Sequence, residues 1–462
     1  MWFSVRMSRN QRSRRREPID TSSRQRNAER QTLEDQLQRL IRDVDNADDP
    51  VGMLNVRIDT GLADLVTRLA VHRPERVVEL ARMACLPWSV GGHVKPDTDG
   101  GPTKAELLTL LALAVCTGTG NGSARKEPMN GLYREAHDWA DAAGSLIHLA
   151  QTLLTVQARG SELAAISAAT RGREVWVRNS SYPDMVKRTH SLLFDSQETS
   201  RFLRHTLGFD AQDAARVLSS LHSAQVSATN ERWVALANAA QLRPDFLAGV
   251  GNLGLTYEER VAFNRYWQPP ANLVAFAASA VNGGTDGGES IPDAVLNHFS
   301  ASLGDPSPRK VLDEFVSGNN PLRTHPVVRT ADSRFIIVHD GLIQPAIREN
   351  LEQTMRSTAA WEPYQSRRGT VLEEIGKAAF EQILPGADTY FAFDYFVPEN
   401  DNEDGHPPDK YTKRVEGDML FVLDDVAIIV EAKAVAITPE ARAGDTSKLR
   451  RNLTDMVKRA AE

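Results

Sequence analysis

The sequence predicts a multidomain α+β protein, a mostly α-helical N-terminal region followed by a smaller α/β domain. Three observations predict it. The chain has 462 residues, more than one ordinary domain holds. Apolar residues recur at helical spacing from about residue 33 to about residue 320. Beyond residue 325 that pattern gives way to short runs rich in β-branched and aromatic residues. With 41% hydrophobic residues, the chain can bury a sizeable core without disulfides or a structural metal.

Residues 1–30 hold nine Arg against Glu17, Asp20 and Glu29, a local net charge of +6, and are expected to be a disordered Arg-rich tail. Residues 31–324 form the helical region. It opens on the stripe Leu33, Leu37, Leu40, Ile41 and Val44. Further helices are expected at Leu54–Arg73, Lys104–Thr117, Leu132–Gln157, Gln212–Leu221 and Val234–Gln241. The breaks between them fall at Gly91-Gly92 with Pro96, at Gly118–Gly122, at Gly208 before an N-cap at Asp210, and at Gly283–Gly288. Gly118–Gly122 is read as a loop, since a phosphate-cradling turn would follow a strand and end in Gly-Lys-Ser/Thr. Cys85 and Cys116 lie far apart, without zinc-ligand spacing, and are read as core residues.

Residues 325–366 read as a hairpin and helix connecting the two parts. His325–Val338 gives two short strands around a turn at Asp332, and Gly341–Met355 a helix. Residues 367–462 then read as helix, three strands, helix. The first helix covers Thr370–Ile383 and is closed by Pro385-Gly386. The strands are Tyr390–Val397, Val415–Leu423 and Val426–Ala434, the last apolar enough to suggest burial on both faces. Asp424-Asp425 marks a tight turn, Pro398–Thr412 an exposed acidic loop, and Thr446–Ala461 the final helix. The aromatic pairs Tyr266-Trp267 and Trp361/Tyr364 are read as core packing.

The chemistry concentrates in the last two strands. Asp418 sits in the second, Glu431 and Lys433 at the end of the third, so a hairpin brings all three to one part of the sheet. Glu431 and Lys433, two apart in a strand, share a face. Two carboxylates beside each other in an apolar hairpin are costly unless a cation compensates, and Lys433 supplies one charge against two. A hard divalent cation, Mg2+ or Mn2+, answers that imbalance through oxygen ligands.

Glu416-Gly-Asp418, a twelve-residue spacer and Glu431-Ala-Lys433, behind a helix carrying Arg368-Gly-Thr-Val-Leu-Glu373, resemble the PD-(D/E)xK, or restriction-endonuclease-like, superfamily. The resemblance covers residues 367–462 alone. It implies a nuclease-like α/β core, Asp418 and Glu431 as metal ligands, Lys433 as the catalytic lysine, Glu373 as a helical acid assisting the site, and Mg2+ or Mn2+ as cofactor. The implied substrate is nucleic acid, DNA in preference to RNA. The fold also implies a further strand, which does not follow the last helix here, so the expectation is an open edge that pairs in an oligomer or with a protein partner, or a chain that is a piece of a longer protein.

Charge complicates that expectation. The whole chain carries −7, and residues 367–462 hold 13 Lys or Arg against 19 Asp or Glu, which disfavours a broad polyanion-binding surface. Phosphate contacts would fall to Arg367, Arg368, Lys410, Lys413, Arg414, Lys448, Arg450 and Arg451, or to the helical region. The competing expectation is a non-catalytic helical interaction protein carrying a degenerate nuclease-like domain. The eleven His show no metal-ligand spacing, and His406-Pro-Pro-Asp409 is read as exposed loop. No apolar run is long enough to span a bilayer, and Met1–Ser13 has no secretory h-region, so the expected location is cytoplasmic, with no membrane partner.

Overall fold

The computed structural model describes residues 38–86, 88–90, 93–95, 101–116, 131–177, 183–239, 256–258, 261, 274–281, 290–400, 402–403, 405–432 and 438–461. The Arg-rich tail, Gly118–Gly122, Tyr266-Trp267, Gly283–Gly288 and Lys433 lie outside the described residues. Contacts divide the chain into Met1–Val56 and Arg57–Glu462. In the first unit residues 38–46 are helical and bury Val44. The description below concerns the second.

Its first half is helical, as the apolar periodicity predicts. The elements are α1 (Pro50–Leu69), α2 (Pro74–Cys85), the small pair β1 (Trp88–Val90) and β2 (His93–Lys95), α3 (Gly101–Val115), α4 (Gly131–Gln157), α5 (Glu162–Trp176), α6 (Pro183–Phe194), α7 (Gln197–Leu207) and α8 (Ala211–Ala239). The apolar run in α3 is buried almost all round, with α2, α4 and the later α10 (Pro308–Val316) packed on it. No described helix is long and apolar enough to cross a membrane. Cys85 is buried; Cys116 is only half-buried, its thiol donating to Leu69 O at 3.2 Å. The helices expected at Gln212–Leu221 and Val234–Gln241 are one helix, α8, because the polar stretch between them contains neither Gly nor Pro to stop it. Asp210 caps it, accepting from Asp213 N at 3.0 Å.

The stretch read as a connector is core. β3 (Val327–Arg329) and β4 (Phe335–Ile337) pair antiparallel around Ser333, whose φ of 59° makes the turn. Val327, Phe335 and Ile337 join one apolar cluster with Leu218 and Leu221 of α8, Leu296 of α9 (Ile291–His298) and Leu351 of α11 (Ile343–Arg356). A strand pair whose side chains are apolar on both faces buries both. The long helix α12 (Trp361–Ile383) starts nine residues before the expected Thr370. Pro363 is tolerated in its first turn, and Tyr364 and Val371, two turns apart, bury one stripe. Tyr364 stacks on both Phe194 of α6 and Trp361.

The C-terminal sheet is an antiparallel meander in the order β5 (Asp388–Val397), β6 (Lys413–Leu423), β7 (Val426–Val430). The β6–β7 turn is the two-residue Asp424-Asp425, with Asp424 at φ 53°. α12 lies on one face: Phe380 stacks on Phe421 at 5.1 Å, Lys377 Nζ sits 3.9 Å from the Phe391 ring centroid, and Gly376 leaves room for the Met419 methyl. Met419 and Phe421 are consequently 1% exposed. The chain closes with α13 (Pro439–Arg442) and α14 (Thr446–Ala461), which pack on α5.

One expectation about this sheet fails. β7 is not buried on both faces; it is an edge strand, with Val426 54% and Ile429 52% exposed. It pairs with β6 alone, and α12 covers one face only, so the apolar run VAIIV has no second layer among the described residues.

Candidate metal centre on the β6–β7 hairpin

The β6–β7 register decides which side chains meet. Met419 pairs with Val430, the last pair of the ladder, and that register extended by one residue would put Asp418 opposite Glu431. The strand stops there because the Asp418 carboxylate intervenes, its Oδ2 accepting the Ala432 N–H at 2.5 Å. That side-chain bond replaces a ladder bond, so β7 ends at Val430 although the apolar run continues. Asp418 is half-buried and Glu431 exposed, so neither carboxylate bears the desolvation cost that the apolar hairpin implied.

The residues around Asp418 are shaped to it. Gly417 faces Phe393 on β5, and a Cβ there would fall 2.5 Å from the ring carbon Cζ; only glycine lets that ring lie across the strand ahead of Asp418. Ala392, at the register position opposite Asp418, has φ 46°, a left-handed backbone that costs a non-glycine residue on the order of 1 kcal/mol. Nothing in the sequence around Ala392 signals this strain.

Glu373 is placed apart from the pair. It is exposed on α12, one turn ahead of Gly376, and α12 covers the face of Met419 and Phe421, while Asp418 alternates to the other face. Among the described residues, no group of three or more His, Cys, Asp and Glu stands close enough to hold a metal ion. The pair Asp418 and Glu431 is what the fold brings together. Both offer hard oxygen donors, the donor type that Mg2+ and Mn2+ take.

The basic residues expected to meet phosphate are mostly engaged or scattered. Arg414 bonds Asp394 at 2.6 Å, which raises its pKa. Arg367 donates to Leu192 O at 3.2 Å and pairs with Glu374. Lys410 and Lys413 are exposed, and Arg450 and Arg451 are exposed on α14. The acidic loop after β5 is tied down: Glu403 accepts from the Thr412 hydroxyl at 2.7 Å and from the backbone N–H groups of Thr412 and Glu399, which holds its carboxyl below the usual range.

A second charged group escaped the sequence reading. Arg323 bonds both Glu174 and Glu349, the latter at 2.9 Å, and Arg442 of α13 reaches Glu349 at 3.1 Å. These four charges come from four distant segments, so no local pattern announces them. Together they clasp the segment after Glu431 onto the helical region. Comparison with known protein families, curated proteins and solved structures finds no match for this chain.

Proposed function

We propose that this protein is a divalent-metal-dependent nuclease of the PD-(D/E)xK type that hydrolyses phosphodiester bonds, in DNA in preference to RNA. The observation that supports the reading is the end of the β6–β7 ladder at Met419 and Val430, directly beyond which Asp418 Oδ2 accepts the Ala432 N–H, next in the chain to Glu431. Asp418 and Glu431 would hold Mg2+ or Mn2+. Bound there, the cation supplies Lewis-acid polarisation of a phosphoryl oxygen and acidifies a water. The Asp418 Oδ2 bond to Ala432 N fixes that carboxylate and leaves Oδ1 as a ligand atom. Lys433, of Glu431's parity along the chain, is the group that stabilises the phosphorane charge.

A second reading has an observation in its favour. Glu373 is on α12, which covers the opposite face, and among the described residues no third carboxylate or His joins the pair, in keeping with a degenerate nuclease-like domain kept by a non-catalytic interaction protein. Incubation with plasmid, single-stranded DNA and RNA, in Mg2+ or EDTA, separates the two. Asp418→Ala and Glu431→Ala should weaken Mn2+ binding in calorimetry and lower cleavage together. Lys433→Ala should keep the metal while cleavage falls about a hundredfold, the scale of a lost transition-state donor. A parent protein that binds no Mn2+, or three variants that cut as well as the parent, would remove the nuclease reading.

A further inference from the structure

Among the described residues no element covers the sheet face that carries Asp418, and the make-up of that face specifies what would cover it. Pairing places Tyr390, Leu420 and Ile429 in one row across β5, β6 and β7. Tyr390 and Ile429 are each 52% exposed, whereas Met419 and Phe421 on the opposite face are closed off by α12. Val422 extends the apolar row along β6. Three strands span about 10 Å between outer axes, the width of one α-helix with its side chains, about 10–12 Å. A single-layered sheet with an apolar row on its open face is completed by a helix laid upon it.

Charge selects the kind of helix. Among the described residues the same face carries Asp388, Asp394, Glu416 and Asp418 against one cation, Arg414, which Asp394 already engages, with Glu431 just beyond the end of β7. A polyanion is repelled by that rim, and an acidic helix equally so. We infer that the open face of β5–β6–β7 is the docking surface for a basic amphipathic helix of a protein partner, its apolar side on Tyr390, Leu420 and Ile429 and its Lys or Arg residues on the surrounding carboxylates. The inference deepens the nuclease reading in one respect. Docked beside Asp418, such a helix forms one wall of a cleft over the candidate metal ligands, and its outward cations supply the phosphate contacts that an acidic domain lacks.

The test uses the full chain in EDTA, so that it does not depend on metal. The probe is a fluorescein-labelled synthetic helix of about five turns with Leu on one side and Lys on the other, compared in anisotropy with a Leu/Glu counterpart and a labelled DNA duplex. The Leu/Lys helix should bind at a one-to-one ratio, the Leu/Glu helix at least about tenfold more weakly, a difference that charge pairing across an interface readily gives. Ile429→Thr and Tyr390→Thr keep strand propensity at exposed positions and should each weaken the Leu/Lys helix severalfold. Val457→Thr, at an equally exposed apolar position on α14, should leave it unchanged. Equal binding of both helices, or no loss in Ile429→Thr and Tyr390→Thr, would overturn the inference. Absence of Mn2+ binding in the parent would remove the nuclease reading and leave this one standing; metal-dependent cleavage without helix binding would do the reverse.

Discussion

Glu79 offers the sharpest quantitative test of the helical region. It is 2% exposed on α2, with Arg76 Nη1 3.3 Å from one oxygen and Arg232 Nη1 4.0 Å from the other. Burial outweighs the attraction of Arg76, Arg232 and Arg82 and pushes its carboxyl up from 4.5 to about 7. At about 1.4 kcal/mol per unit, holding the ionised form in the fold costs on the order of 3 kcal/mol. The folded pKa is the higher, so folding takes up a proton between the two values. Stability from this group is therefore greatest below pH 4.5, falls as pH rises to 7, and is flat above. Glu79→Gln mimics the protonated form at every pH. It should match the parent near pH 4.5 and exceed it by about 2–3 kcal/mol at pH 8. Urea unfolding followed by circular dichroism, at several pH values, measures the difference. Taking the difference matters, because burial lowers His190 and His222 to about 4, and those groups add stability as pH rises over the same range. If Glu79→Gln is less stable than the parent at pH 8, the carboxylate is stabilised by its arginines and the reasoning fails.

The other predictions concern the C-terminal sheet and its anchoring. Phe421→Ala removes a 1% exposed ring stacked on Phe380 and should cost about 3–5 kcal/mol, read as a lowered urea midpoint. Limited proteolysis should cut first in the loop 398–412, most of whose described residues are exposed; early cleavage within Val426–Val430 would contradict the sheet. Arg323→Ala leaves Arg442 to pair with both Glu174 and Glu349, each about one-fifth exposed, and should loosen α13 and α14, seen as faster amide exchange there, with Arg323→Lys restoring part of the protection.

Periodicity made most of the elements legible and could not show what lies between them. The hairpin at His325–Val338, the turn at Asp424-Asp425 and the final helix at Thr446–Ala461 fall where apolar spacing and turn chemistry put them. The β6–β7 register was also legible, because a two-residue turn fixes it and the register fixes the faces. Layering was not. The run VAIIV reads the same whether two layers or one cover it, and only the structure shows that, among the described residues, α12 is its one covering layer. The clasp of Arg323, Arg442, Glu174 and Glu349 was equally hidden, since its spacing in sequence carries no period.

The exposure of β7 bears directly on how the site could work. A carboxylate pair buried in an apolar hairpin would need its cation to exist at all; Glu431, being exposed, does not. On the nuclease reading, metal affinity would rest on a half-buried Asp418 and an exposed Glu431, which would bind Mg2+ loosely unless substrate phosphate completed the ligand set. Mn2+ binding should then tighten when a non-cleavable oligonucleotide is present, and the oligonucleotide should bind more tightly with Mn2+ by the same factor, since linkage is reciprocal. Paired calorimetric titrations measure both. Equal Mn2+ affinity with and without the oligonucleotide would show that substrate adds no ligand at this pair.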